Sequence, residues 1–160
     1  VPFVNLPYIL SPNMSQSNAI LLHVGRVAGM LGDDADLLHL VLAQATDLDN
    51  VVTRGCYADP DGVKPYFESK LGDELKEWVK VLGDHAYITG ETITVADFKV
   101  FELFSKIRIL EAHFGVAVMD AFPTLLAYID KVKTHPPLAA YIASPDYLDR
   151  PLNNPHAKFT

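Results

Sequence analysis

From Asp36 to about Tyr57 the apolar residues Leu37, Leu38, Val41, Leu42, Ala45, Leu48 and Val52 recur at the three- and four-residue spacing of one helical face. No strand runs that long, so the chain must bury the stripe of a long helix. Asp33, Asp34 and Asp36 stand where the positive end of its dipole favours them. After a turn at Ala58-Asp59-Pro60-Asp61-Gly62 the pattern returns as Phe67, Leu71, Leu75, Trp78 and Leu82, which predicts a second long helix packed antiparallel to the first. Phe101, Phe104, Ile107 and Leu110 predict a third helix, whose aromatic residues read as core. Its start is marked by Thr94, which can cap, Asp97, which can reach back, and Ile93, which can staple onto Phe98. Asp120-Ala121-Phe122-Pro123 opens a fourth through Leu126, Ile129 and Val132, and Pro136-Pro137 a short last one through Tyr141 and Ile142. Beyond Ser144-Pro145 the chain is polar and rich in Pro and Asn, which predicts an irregular tail lying over a mainly α bundle.

The N-terminal residues follow another rule. Leu6-Pro7 is an X-Pro step at a strand opening, where a cis bond is plausible, and Ser11-Pro12-Asn13 supplies a turn before a returning stub at Met14-Ser15. Gln16-Ser17 then open an apolar-periodic helix through Ile20, Val24, Val27 and Leu31, broken by Gly32 to Asp36. A boundary near Leu31 to Asp34 follows, with a hairpin-plus-helix unit at 1–31 and a helical unit at 34–160. Helix-start amides, the positive dipole end and a hydroxyl beside an amide make a receptor for a carboxylate, and a strand edge can pair with a peptide-like ligand. The residues therefore admit a pocket for a small anionic peptide. They equally admit an ordinary helix cap after an ordinary turn.

Composition narrows the partners. With 49% hydrophobic and 21% charged residues the chain is that of a globular domain, and a net charge of −7 leaves no basic cluster for nucleic acid or an anionic membrane surface. An anionic ligand would have to be held by local dipoles. The single cysteine, Cys56, reads as a small buried side chain and fits a reducing compartment, and no apolar run is long enough to span a membrane. The cytosol is the expected location. His23, His39, His85, His113, His135 and His156 show no ligand spacing on a shared helix face, so no metal is expected.

Asn5-Leu6-Pro7-Tyr8, followed by Gln16-Ser17-Asn18-Ala19-Ile20-Leu21 and Gly25-Arg26, resembles the glutathione-binding segment of cytosolic glutathione transferases, the Pi class first and the Mu class next. Thr94-Val95-Ala96-Asp97, Asp120-Ala121-Phe122-Pro123 and the tail Ala143-Ser144-Pro145-Asp146-Tyr147-Leu148 with Pro151 and Asn153 extend the likeness over the whole chain, the tail looking most like the Pi class. The resemblance implies a partial thioredoxin-like segment followed by the family's all-helical C-terminal domain. It implies that the backbone of Leu6, ahead of a cis Pro7, pairs with the cysteinyl part of glutathione, while Gln16 and Ser17 hold the γ-glutamyl carboxylate. Asn5 stands where Pi enzymes carry glutamine. Asp47, ten residues before Tyr57, matches an aspartate that crosses the dimer interface to the partner's γ-glutamyl amine, with Asp49 as the fallback. Thr53 and Tyr57 would line the hydrophobic substrate site, and the tail near Asn154 would close it.

The activity so implied is the nucleophilic conjugation of glutathione, as co-substrate, to hydrophobic electrophiles by a homodimer. The family's thiolate-stabilising tyrosine belongs to a first strand that the resemblance does not place among these residues, and Tyr8, which follows Pro7, is no substitute. No catalytic residue is therefore assigned, and this chain by itself is expected to bind glutathione weakly and turn over slowly. Two other readings stay open: a non-catalytic structural or dimerisation module of the same fold, and a plain helical interaction domain in which Gln16-Ser17 is only a cap.

Overall fold

The computed structural model describes residues 6–159. β1 (Tyr8–Ile9) and β2 (Met14–Ser15) pair antiparallel, with Tyr8 opposite Ser15 and Ile9 opposite Met14. The Tyr8 hydroxyl donates to Asn13 Oδ1 across the turn. The Leu6-Pro7 bond is cis, as expected, and so is Ser11-Pro12.

One residue later α1 (Ser17–Ala28) begins. It stops three residues short of the predicted Leu31. Gly29 takes the left-handed conformation at φ 68°, and the amides of Gly29 and Met30 turn back to the carbonyls of Arg26 and Gly25. The apolar spacing runs on to Leu31 because Met30 and Leu31 pack against the core after the helix has ended. Gly25 lets α1 approach closely, since a Cβ there would lie 2.6 Å from Val95 Cγ1.

α2 (Ala35–Ala58) matches the predicted span, and Asp34 caps it by accepting the Leu37 N–H at 2.8 Å. The second long helix expected from the sequence is two helices. α3 (Pro60–Ser69) and α4 (Leu71–Leu82) are separated at Lys70, where the Ser69 hydroxyl donates to the Pro65 carbonyl at 2.6 Å and competes with the backbone ladder. The predicted five-residue turn shrinks to Asp59, because Pro60 occupies the first helical position, where a missing N–H leaves no bond unmade. α3 closes on α2 at Gly55, where a Cβ would stand 1.6 Å from Val63 Cγ2. α4 diverges from α2 and leaves a groove of about 410 Å³ lined by Leu40, Val41, Gln44, Glu74, Glu77, Trp78 and Val81.

α5 (Val95–Phe114) is the helix on which the others pack. Its buried Phe104 meets Trp78 edge-on at 5.6 Å, and Phe67 meets Phe114 at 5.2 Å, so the aromatic residues are core as predicted. Thr94 and Asp97 form the expected capping box. The fully buried Asp97 carboxylate does more: Oδ2 accepts Thr94 N–H at 2.7 Å, while Oδ1 accepts Ile88 N–H at 2.8 Å and the Tyr128 hydroxyl at 2.9 Å. Val95 N–H donates to the Met30 carbonyl at 3.0 Å, tying the end of α1 to the same point.

A 3₁₀ turn at Val118–Ala121 precedes α6 (Pro123–Lys133), so the fourth predicted helix begins at its proline. α7 (Pro136–Ile142) ends the helical part. The irregular tail crosses the bundle as expected and returns to α2, where the Cys56 carbonyl accepts the amides of Lys158 at 2.9 Å and Phe159 at 3.1 Å. Cys56 is buried, and burial pushes its thiol pKa up.

Asp97→Ala strands buried donors on three segments and is expected to destabilise the fold by about 3 kcal/mol in urea unfolding, against about 1 kcal/mol for Tyr128→Phe. Equal losses would contradict the reading of Asp97 as the hub.

Candidate functional site

Four of the six predicted glutathione residues lie at one end of the hairpin, while Asp47 stands on α2. The register of Tyr8 with Ser15 brings Pro7 alongside Gln16, so Leu6, Pro7, Gln16 and Ser17 lie together where the hairpin meets α1. Asn5 lies outside the described residues. Gln16 is the N-cap of α1 at φ 75°, ψ 115°, the one non-glycine residue with positive φ among those described, and its side chain caps no amide. A long unbranched side chain held there is strained, and such outliers cluster at ligand-binding positions. The consequence is geometric: the Gln16 side chain is exposed beside the helix-start amides that its carbonyl does not use. Ser17 is likewise exposed and is the first helical residue, a different place from the cap itself.

Asn18, in the next position, fixes this end of α1 to α2 by donating from Nδ2 to Thr46 Oγ1 at 3.0 Å. Thr46 in turn donates to the Leu42 carbonyl at 2.8 Å. The pair escaped the sequence reading because two small polar residues 28 positions apart carry no periodic signal. Asp47 follows Thr46 directly and is exposed, with no hydrogen bond or ion pair among the described residues.

Asp49 behaves otherwise. Its Oδ1 accepts from Lys106 Nζ at 2.6 Å and from the Thr53 hydroxyl at 3.3 Å, and Lys99 Nζ lies 3.6 Å from Oδ2. Lys106 Nζ also reaches Thr53 Oγ1 at 3.4 Å. Burial pushes the Asp49 carboxyl up, but the Lys106 and Lys99 ammoniums together with Thr53 outweigh it and hold the group below the usual carboxylate range. Asp49 is thus engaged by two lysines and a threonine of its own chain. Lys106 was missed, although a lysine between Phe104 and Ile107 in a buried stripe is itself a signal that a partner must wait on a neighbouring helix.

Thr53 and Tyr57 stand one turn apart near the end of α2, with Tyr57 38% exposed and Thr53 half-buried in the Asp49 cluster. Asn153 donates to the Phe159 carbonyl at 3.0 Å, and the tail beyond it is pinned on the neighbouring Cys56. A cavity of about 370 Å³ lies between α5, α7 and the tail, with Phe98, Phe101, Lys106, Ile109, Tyr141 and Leu152 among its walls and neither Thr53 nor Tyr57 lining it. Tyr8 spends its hydroxyl on the hairpin. Among the described residues no group of three His, Cys, Asp or Glu side chains could hold a metal, and no helix is long and apolar enough to cross a membrane.

The family model described as "Glutathione S-transferase, C-terminal domain" matches residues 46–145. Glutathione S-transferase Mu 3 of Macaca fuscata fuscata is 30% identical, over 98% of this chain and 71% of the relative. The chain belongs to the glutathione S-transferase family. Glutathione S-transferase P of Bos taurus is 32% identical over 86% of this chain and 67% of its own length. The Pi-class glutathione S-transferase of Onchocerca volvulus superposes with a TM-score of 0.78 at 28% identity, over 90% of this chain and 71% of that one. Membership makes the chain a glutathione transferase-type protein with glutathione as co-substrate. Mu and Pi relatives match at similar identity, so the family, not the class, is what these likenesses establish.

The depressed Asp49 pKa has a readable sign. The ionised carboxylate stabilises the fold at any pH above the unfolded value of about 3.9, and the contribution is lost as pH falls through the lower folded value. The stability difference between wild type and Asp49→Asn, followed by urea unfolding, should therefore be flat from about pH 5 to 8 and shrink below about pH 4. A difference that grows on acidification would refute the ion-pair account.

Proposed function

We propose that the chain binds glutathione at the junction of the hairpin and α1 and serves its conjugation to hydrophobic electrophiles. The observation that carries this is Gln16, a non-glycine residue at positive φ whose exposed side chain stands beside the start of α1. In this reading Gln16 and Ser17 hold the γ-glutamyl carboxylate, helped by the positive dipole end, and the backbone of Leu6 before cis Pro7 pairs with the cysteinyl part. Asn5 completes the set by resemblance. The unit at 1–31 is thus the glutathione-binding part, and the unit at 34–160 supplies the substrate wall.

The chemistry divides accordingly. A thiol of ordinary pKa, about 8.5, is mostly protonated at neutral pH, and conjugation forms a carbon–sulfur bond as that proton is lost and the electron pair displaced at carbon departs with a leaving group or, in an addition, takes up a proton. The residues named here orient the peptide. Thr53 and Tyr57 on α2, with the tail near Asn153 and Asn154, face the apolar second substrate.

The same reading makes the protein a homodimer of the cytoplasm, used in detoxification and placed in the Pi class ahead of the Mu class by the tail from Ala143 to Leu148. Two features favour the dimer. Asp47 presents an exposed carboxylate with no hydrogen bond or ion pair among the described residues, suited to the partner's γ-glutamyl amine. Leu40, 61% exposed, lines the groove between α2 and α4 beside Val41, Trp78 and Val81.

Saturating glutathione should raise the midpoint of thermal unfolding of the wild type, and Gln16→Ala should weaken binding about tenfold, the loss of one hydrogen bond to a charged group. Asp47→Ala should do the same in the dimer and have no effect once Leu40→Asp has separated the subunits, read by sedimentation alongside the melts. No shift with glutathione in the wild type would leave the interaction-domain reading in place.

A further inference from the structure

Ser144 ties the corner where α7 gives way to the tail. Its amide and its hydroxyl both donate to the Tyr141 carbonyl, at 3.0 and 2.7 Å, and its carbonyl accepts the Tyr147 amide at 3.3 Å. The Asp146 amide donates to the same hydroxyl at 3.3 Å. Tyr141 and Tyr147, the rings on either side of the corner, meet edge-on at 5.6 Å. From Tyr147 to Leu152 the tail then walls one side of the 370 Å³ cavity. One serine therefore sets where that wall begins.

The corner is within reach of another protein. α7 has 7 residues and buries none of them, so it belongs with the elements that open locally at little cost. Ser144 is half-buried, and Ala143, Pro145 and Asp146 around it are exposed. A serine followed directly by proline at such a corner is the sequence that proline-directed protein kinases take. Charge decides what a phosphate would do there. A phosphoserine carries a charge of about −1.5 to −2 at neutral pH, and its ester oxygen has no proton to donate to the Tyr141 carbonyl. The phosphate would stand past the C-terminal end of α7, where the dipole is negative and the last turn holds no basic residue. Asp146 and Asp149 add like charge. Arg150, the next cation along the chain, stands over the Phe159 ring at 4.9 Å.

We propose that Ser144 is a phosphorylation site for a proline-directed kinase, and that the phosphate releases the tail from α7 and opens the tail-side wall of the cavity. In the modification the serine oxygen bonds to the γ-phosphorus of a nucleoside triphosphate as the bridging bond to the β-phosphate breaks. The nucleoside diphosphate leaves with that electron pair, and the hydroxyl proton passes to a base of the kinase. The far end of the tail keeps its own anchor, since the Cys56 carbonyl accepts the amides of Lys158 and Phe159. Release is therefore confined to the stretch between the two attachments. The proposal stands apart from the choice of ligand at the hairpin.

The test treats the intact chain with a purified proline-directed kinase and ATP, maps the phosphate by mass spectrometry, and compares amide hydrogen exchange before and after. Ser144 should take the phosphate, and Pro145→Ala should abolish the reaction there. In the phosphorylated chain the amides of Asp146 and Tyr147 should exchange about tenfold faster, the loss of one hydrogen bond, while those of Lys158 and Phe159 stay as they were. Ser144→Glu should reproduce part of this loosening and lose most of it in about 1 M salt, where charges are screened. Ser144→Ala, which removes the hydroxyl bonds without adding charge, should loosen the corner less. Phosphate placed only on Ser11, the other serine that precedes a proline, or on neither serine, overturns the proposal. So does unaltered exchange in the phosphorylated chain, or Ser144→Ala loosening the corner as much as Ser144→Glu.

Discussion

The buried carboxylate of Asp97 fixes the start of α5, and almost everything else is placed by that. It holds the turn at Thr94, the loop at Ile88 and the face of α6 at Tyr128 through one fully buried side chain. Because the carboxylate would be costly to bury without these donors, the three segments must arrive together. α1 is drawn to the same point by the bond from Val95 to the Met30 carbonyl and by the close approach at Gly25. α1 is thus held by a polar knot at its C-terminal end and by Asn18 on Thr46 at its N-terminal end.

Much of this architecture was legible. The apolar stripes located α2, α5, α6 and α7, the Thr94–Asp97 spacing located the knot, and Leu6-Pro7 pointed to the cis bond. What failed was punctuation. Gly29 ends α1 through a left-handed turn that an apolar count passes over, and Ser69 on the Pro65 carbonyl divides a stripe that looked continuous. The polar pairs between helices were illegible for another reason: Asn18 with Thr46, and Asp49 with Lys106, depend on packing that brings distant residues together. Lys106 was missed as well, although a lysine in a buried stripe is a signal that a partner stands on a neighbouring helix. At the site, the motif named Gln16 and Ser17, while the strained backbone of Gln16 could be seen only in three dimensions.

For a protein with a net charge of −7, holding an anionic tripeptide is a local matter. The long-range field opposes it, so the affinity must come from donors within hydrogen-bond reach and from the end of a helix dipole. That explains why the exposed amide of Gln16 and the hydroxyl of Ser17 sit at a helix start instead of on a basic patch. The cationic cluster of Lys99 and Lys106 is used differently, paired with Asp49 and Glu102 of its own chain. Along α2, Thr46 at mid-helix meets the start of α1, while Thr53, two turns further on, joins the Asp49 cluster.

The central claim is that glutathione binds where the hairpin meets α1, and the most direct measurement is a titration of the backbone amide resonances with reduced glutathione. The account predicts that the largest shifts fall on Leu6, Ser17 and Asn18, with the α4 amides from Leu71 to Leu82 unmoved. Shifts centred elsewhere, or none at millimolar glutathione, would contradict it.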